Sequence, residues 1–320
     1  MLKLNVQQNN QNVIQAFKNA LAIGNLKGII ASDGNHNFST AGSNRNLLDN
    51  PFFTVNQREF TSVTGRNGVK TVDRWEVNNG GGTGGTISVT SEGYISLVTG
   101  SAYISYQEKF GKDELAGKTV TMSINDDGNI YSHSFTVPAR TASTQTGGSF
   151  IFKAGCRCNF FVMSQSSAYG YNFQISIGTG YSATIRAVKL ELGAVSTLAN
   201  DGPPDYWQEL DKCLYYFERV TNNGSSPITI GAGFADGVNN LYVPVHIHRK
   251  RAGIATISTS GAIYAGQRSS NISVASVTQY NSSPDGIITL LAVTPSSFTS
   301  NEYYRLALGA GAHIDFSAEP

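Results

Sequence analysis

The sequence predicts a mainly β protein. It reads as an antiparallel, jelly-roll-like β-sandwich followed by a smaller C-terminal β domain, with a short N-terminal helix and a helical connector. Three observations predict this. Apolar residues alternate with period two through most of residues 46–200 and again from 221 to 320, the spacing of half-buried strands. Only two segments carry a helical spacing instead. Charge is also scarce: 23 basic and 22 acidic residues make up 14 % of the 320, against roughly a quarter in ordinary soluble proteins. Gly, Asn, Ser and Thr supply the polarity, which suits short strands joined by many turns.

The first helical segment is about 9–23, where Val13, Phe17 and Leu21 recur four apart, Ile14 widens the stripe, and Gly24 stops it. Strands follow. Ile87 and Val89 share a face, and Ile95 and Leu97 repeat the pattern after a turn at Ser91–Gly93. Val120, Met122 and Ile124 form another face that ends at Asp126-Asp127-Gly128-Asn129, residues that tolerate a positive φ and so signal a hairpin. Phe150 and Phe152, Phe160 and Val162, then Phe173, Ile175 and Ile177 mark three more strands, and Ala183–Leu192 a last one, with Val188, Leu190 and Leu192 on one side. An inward place is thus expected for Leu192. The Asn- and Gly-rich run 78–85 predicts an exposed loop.

The second helical segment is about 206–219. Pro203 and Pro204 block an earlier start, Asp205 caps, and Gln208 lies three residues on. Its apolar face is Tyr206, Leu210, Cys213, Leu214 and Phe217. Such a stripe either packs against copies of itself around an oligomer axis or covers one end of its own sandwich. Beyond it Leu241, Val243, Val245 and Ile247 alternate, and short strands are expected near 254–259, 287–293, 302–308 and 313–317. The expected domain plan is therefore 1–45, 46–200, 201–220 and 221–320.

Composition also bounds function. A net charge of +1 leaves no basic surface for nucleic acid or an anionic membrane. No stretch approaches 18 apolar residues, so membrane insertion is not expected. The first residues lack the apolar core of an export signal, which predicts a cytosolic site of synthesis. Cys156, Cys158 and Cys213 lack both disulfide and zinc-ligand spacing and are expected to be buried thiols. The hydrolase motifs Gly-x-Ser-x-Gly and His-Glu-x-x-His are absent and the acids are scattered, so no catalytic residue is nominated and enzymatic activity is not expected.

Two stretches resemble a known family. Asn46-Leu47-Leu48-Asp49-Asn50-Pro51-Phe52-Phe53 with Thr71-Val72-Asp73-Arg74-Trp75 is similar to the opening of a module common in bacteriophage tail-fibre proteins. More specific is Ala187-Val188-Lys189-Leu190-Glu191-Leu192-Gly193, which runs through Pro203-Pro204-Asp205-Tyr206 into Glu209-Leu210-Asp211-Lys212-Cys213-Leu214-Tyr215-Tyr216-Phe217. In phage fibre proteins a similar run links a carbohydrate-binding-module-like sandwich to a C-terminal tip. Val243-Pro244-Val245 and Ile314-Asp315-Phe316 look like the edges of such a tip. The resemblance implies a structural virion protein, a homotrimeric fibre of tail, baseplate or head that engages host-surface glycan. Residues 1–45 match no pattern in that family and are expected to attach to another virion protein. The alternatives are a non-viral carbohydrate-binding or adhesion protein and a glycan-degrading virion appendage.

Candidate ligand residues follow from chemistry. Aromatic rings stack on pyranose faces beside amides and hydroxyls, which singles out Tyr169 and Tyr171 among serines and glycines, with Tyr303, Tyr304 and Trp207. Trp75 reads as core. His246-Ile247-His248 would project both imidazoles to one face of a strand. Some trimeric fibres hold an axial metal this way, but Arg249-Lys250-Arg251 would crowd a cation. Asp126-Asp127-Gly128-Asn129 fits a tight turn better than a calcium loop. No organic cofactor is implied, and a structural metal ion stands only as an option at His246 and His248.

Overall fold

The computed structural model describes residues 30–32, 38–40, 43–65, 68–77, 84–98, 102–108, 114–165, 170–250, 256–267, 270–282, 286–294 and 297–319. The expected helix at 9–23, most of the 78–85 loop and Tyr169 lie outside the described residues. Within residues 1–45, β1 (Ile30–Ser32) pairs with β2 (Phe38–Thr40). Next come β3 (Ser62–Thr64), β4 (Val69–Lys70), β5 (Trp75–Val77), β6 (Thr86–Val89), β7 (Ile95–Val98), β8 (Ala102–Glu108) and β9 (Thr119–Asp126). They are followed by β10 (Asn129–Thr136), β11 (Gln145–Lys153), β12 (Cys156–Val162), β13 (Tyr171–Ile177) and β14 (Ser182–Leu192). A 3-10 turn, Leu198–Asn200, and helix α1, Tyr206–Leu214, lead into the C-terminal strands. These are β15 (Phe217–Thr221), β16 (Ile228–Asp236), β17 (Asn240–His246), β18 (Thr256–Ser260), β19 (Ile263–Gln267), β20 (Ser270–Ser273), β21 (Ser276–Ser282), β22 (Ile287–Val293), β23 (Tyr303–Leu308) and β24 (His313–Ser317).

The fold is mainly β and antiparallel throughout. Two six-stranded sheets, ordered β10-β9-β14-β7-β6-β3 and β11-β12-β13-β8-β5-β4, form a sandwich. The chain crosses from sheet to sheet between β3 and β4, β5 and β6, β7 and β8, β8 and β9, β10 and β11, and β13 and β14. The alternating faces meet in one core: Met122, Ile124, Val188 and Leu190 from one sheet against Trp75, Cys158, Phe160 and Phe173 from the other. Leu192, the last residue of β14, is exposed rather than inward. The Cys158 and Met122 sulfurs are 3.7 Å apart, and the Phe135 and Phe160 rings 5.3 Å. Burial of each such side chain stabilises by roughly 1.5–3 kcal/mol. The β9–β10 hairpin turns at Asp127 (φ 47°) and Gly128 (φ 92°), the positive pair that a tight hairpin loop requires. All three cysteines are buried and unbridged, and burial pushes the Cys158 and Cys213 thiols well above their ordinary range.

The C-terminal strands form a three-stranded sheet, β15-β24-β18, and a seven-stranded one, β20-β19-β23-β16-β17-β22-β21. Leu241, Val243, Leu290, Leu306, Ile314 and Phe316 fill a second core. Close approach decides one glycine here: a Cβ on Gly233 would collide with the Tyr242 carbonyl oxygen on the neighbouring strand.

Helix α1 is shorter than its periodicity predicts. The spacing suggests 206–219, but the helix ends at Leu214 because Phe217–Thr221 pairs with β24 instead. Phe217 therefore belongs to a strand, and tertiary pairing outweighs the helical spacing. Asp205 caps as expected, accepting from the Gln208 amide at 3.0 Å. The buried side is Glu209 and Cys213, while Trp207 is 72 % exposed. Of the expected apolar face only Cys213 of the helix is buried within the chain, with Leu210 and Leu214 half-buried and Tyr206 exposed.

The motifs of the family resemblance converge on the joint between the two cores. Asn50 is fully buried. Its Nδ2 donates to the Val55 and Asp73 carbonyls, its carbonyl accepts from Trp75 Nε1, and its backbone N–H donates to Glu209. Asp73 accepts from the Gln57 backbone and side chain, and Gln57 in turn donates to the Phe217 carbonyl. The Arg58 guanidinium lies 3.4 Å from the Phe217 ring centre and pairs with Glu319 at 2.5 Å. Arg74 lies over Tyr216 at 3.5 Å, and Arg219 makes a two-pronged bond to Asp315 at 2.7 and 2.8 Å. On the outer side of β14, Lys189 donates to Thr197 and Asp201, both at 2.8 Å, while Glu191 accepts from the Thr197 amide at 2.7 Å. Gln57, Arg58 and Arg74 tie the sandwich to Tyr216, Phe217 and Glu319 on the side of the second core, while the Lys189 group holds β14 to the 197–201 segment that leads there.

Candidate functional site

The largest of the described clefts, about 640 Å³, opens beside the outer end of the β9–β14–β7 sheet. Five pieces of chain build it, one of them the connector at Pro203. The 52–56 loop brings Phe52 and Asn56; the β6–β7 turn brings Glu92 and Tyr94; the end of β9 brings Asn125; and β14 brings Arg186. Two others, about 310 and 230 Å³, are smaller, and the first is walled largely by the joint.

Local structure explains the aim of each side chain. Between Ile185 and Ala187 the β14–β9 register slips by one residue, so Arg186 is the extra residue of a bulge. Bulges re-aim a side chain that regular alternation would fix. The β6–β7 turn closes through Gly93 (φ 86°), with the Gly93 amide donating to the Thr90 carbonyl at 3.0 Å, and this lifts Tyr94 towards Arg186. The guanidinium sits 5.1 Å from the Tyr94 ring centre. Its Nη2 pairs with Asp127, a hydrogen bond that raises the Arg186 pKa further. Its buried Nε–H has no acceptor among the described residues. At the rim, hydrogen bonds from Ser91 and then Thr90 hold the Glu92 carboxyl below its ordinary range, so it is ionised at neutral pH. Asn125 Oδ1 accepts from the Gly128 amide at 2.8 Å, which turns the amide NH2 of the same side chain outward as a donor.

The cleft thus offers two aromatic faces, a guanidinium, a carboxylate and an amide. Such a set stacks on a flat polar ring and bonds its hydroxyls. Its positive charge is largely balanced by Asp127 and Glu92. Among the described residues no group of three or more His, Cys, Asp or Glu side chains is gathered for a metal.

The residues nominated from the sequence fall elsewhere. Tyr171 is only 2 % exposed: it stacks on Phe160 at 5.3 Å and its hydroxyl accepts from the Leu115 amide, so it is core and offers no face to a sugar. Tyr304 is likewise buried, 5.0 Å from Phe298, with its hydroxyl accepting from the Thr299 amide. Both occupy inward positions on their strands, which local composition does not disclose. Trp207 and Tyr303 are each 72 % exposed, but they lie on α1 and β23, far apart in the chain. β17 ends at His246, so strand alternation does not carry on to His248. His248 Nδ1 lies 3.4 Å from Glu218, which also binds Lys250 at 2.9 Å, and that ammonium opposes a second cation beside the imidazole. At the Asp126 turn, both acids already face cations: Lys153 on Asp126 and Arg186 on Asp127.

No sequence pattern announces the cleft. Tyr94 and Arg186 lie 92 positions apart, and only the bulge and the turn bring them together. No protein-family model matches the chain, and no curated protein matches it. No helix among the described residues is long and apolar enough to cross a membrane.

Proposed function

We propose that this chain is a structural virion protein of a bacteriophage, a homotrimeric fibre that attaches to host-surface glycan through the Tyr94–Arg186 cleft of its sandwich. One observation carries the ligand class: an aromatic ring and a guanidinium share a cleft of about 640 Å³ in which Asp127 and Glu92 nearly balance the positive charge. The resemblance at 46–75 and 187–217 carries the virion assignment, with residues 1–45 as the attachment to another virion protein. A shallow polar cleft binds one sugar weakly, because its hydrogen bonds and stacking barely exceed the cost of desolvation. Several linked copies raise avidity without adding to any one site.

The test is a glycan array probed with the intact chain at low and high salt, followed by calorimetry on the best neutral oligosaccharide. Binding should change little with salt. Tyr94→Ala and Arg186→Ala should each weaken it at least tenfold while the urea midpoint stays put. Capture of sulfated or phosphorylated polymers alone, abolished by salt, would show the neutral-glycan assignment to be wrong.

A further inference from the structure

The outer face of the seven-stranded sheet carries a row of aromatic rings that the cleft does not involve. Tyr303 on β23 pairs with Phe234 on β16, Phe234 with Tyr242 on β17, and Tyr242 with Leu291 on β22. The row therefore crosses four neighbouring strands in register. The Phe234 and Tyr242 rings are 6.0 Å apart, and Tyr280, at the β21 bulge, meets Tyr242 edge-on at 4.7 Å. The opposite faces of these strands are the ones that enter the core, through Ala235, Leu241, Val243, Leu290 and Tyr304.

These rings are not core residues left slightly open. Tyr303, Tyr280 and Phe234 are 72, 62 and 47 % exposed. At about 200 Å² per aromatic side chain, they alone present on the order of 350 Å². Ile287, Leu291 and Val293 lie on the same side of β22 and widen the patch. It is then on the order of 500 Å², at the upper end for the largest patch of a lone soluble protein and over half of the roughly 800 Å² that one partner brings to a standard interface.

Charge points to the occupant. The seven strands hold two charged side chains, Asp236 and Arg305, one of each sign and both exposed. Identical copies can therefore meet here without like charges being forced together. An interface core rich in Tyr and Phe, poor in charge and rimmed by polar groups is the composition of a subunit contact. Two positions along the strands from this row lie Ala232, Pro244 and Val293 together with Asp236, Asn240, Thr289 and Arg305. The rings therefore form an apolar centre with polar groups around it, the layout of a subunit contact. A sugar platform would use those polar groups as ligands, and a glycan-binding measurement separates the two.

We propose that this face is the surface through which copies of this chain associate, with Phe234, Tyr242, Tyr280 and Tyr303 at its centre. The three-copy stoichiometry rests on the fibre assignment; the surface itself does not.

Native mass spectrometry and sedimentation of the full chain test it. The wild-type chain should run as an oligomer at micromolar concentration, and Phe234→Arg with Tyr303→Arg as a folded monomer of 34.2 kDa. Should the double variant lose its β circular dichroism, Tyr303→Arg alone, at a position with no packing to lose, should still raise the dissociation constant at least tenfold. Trp207→Arg, an equally exposed aromatic on α1, should leave the mass unchanged. A monomeric wild type, or a double variant that stays oligomeric, overturns the proposal. So does loss of neutral-glycan binding in the double variant at unchanged mass, which would make the row a sugar platform. The folded monomer should keep single-site sugar binding through Tyr94 and lose only avidity, so failure of the cleft and failure of this interface give different results.

Discussion

The joint between the two cores and the outer face of the seven-stranded sheet handle polarity in opposite ways. The joint buries Asp73, Arg74 and Glu209, and the side of β14 under the connector buries Lys189 and Glu191, whereas the sheet face turns tyrosines and a phenylalanine to solvent. Taking charges out of water costs several kcal/mol each, and their mutual attraction offsets that only when geometry and hydrogen bonds are close to complete. On β14 they are: Lys189 has three oxygen partners, and Glu191 accepts from both the amide and the hydroxyl of Thr197; at Asp73 the compensation is partial, with Arg58 3.7 Å away. Such a network is a poor source of stability but accepts few alternative arrangements, which suits a connection that must set two modules in one relation. The sheet face is the reverse, with little geometric demand and much apolar area still to be covered. One region is finished within the chain and the other is not.

The comparison breaks most sharply at Lys189. Lys189→Met should remove about 3–5 kcal/mol of stability, because Glu191 and Asp201 stay behind without their buried cation. Chemical denaturation of the full chain measures it, and a loss under about 1 kcal/mol would mean that the network around Lys189 is more hydrated than its burial implies.

Asp73 comes next. Burial raises its pKa from 3.8 to about 6, against the pull of Arg58 and the Gln57 side chain, and Glu319 raises it further. Arg58 cannot hold it down because it lies 3.7 Å from Asp73 and 2.5 Å from Glu319. The folded chain therefore binds this proton more tightly than the unfolded chain. For this group stability is highest below pH 3.8, falls as pH rises from 3.8 to about 6, and is level above that. The full span corresponds to about 3 kcal/mol. Urea midpoints measured across that window should lose this downward component in Asp73→Asn, and an unchanged pH profile in the variant would place the raised pKa elsewhere.

The smallest effects sit two residues apart on α1 and reproduce the contrast in miniature. Glu209→Ala should cost about 1–3 kcal/mol, since it strands the buried Asn50 N–H. Trp207→Ser should stay within about 0.5 kcal/mol, as for other exposed positions. Thermal unfolding of the pair decides it, and equal losses would mean that the tryptophan is covered in solution.

Much of the fold was legible because strands announce themselves locally. Alternation placed β6, β7, β9, β12, β13, β17 and β22, and the acidic Gly-Asn run placed the β9–β10 turn. Failures came wherever alternation has the right period and the wrong environment. Lys189 and Glu191 occupy outward positions on β14, where polar residues normally meet water, yet segments 43–50 and 197–201 lie over them. Tyr171 and Tyr304 read as available rings and are core. The α1 stripe continues past Leu214 in sequence, but pairing with β24 claims Phe217.

Local pattern alone was enough for the β class, the positions of the turns, the capped helix between two strand-rich stretches and the near absence of net charge. Each of these depends on composition or on residues within about ten positions of one another. Three-dimensional packing was needed to bury particular polar residues, to carry Arg186 to Tyr94 through a one-residue bulge, and to align Tyr303, Phe234 and Tyr242 in one row. Those arrangements depend on register between strands far apart in the chain, and register is set by the packing of whole sheets rather than by any local spacing.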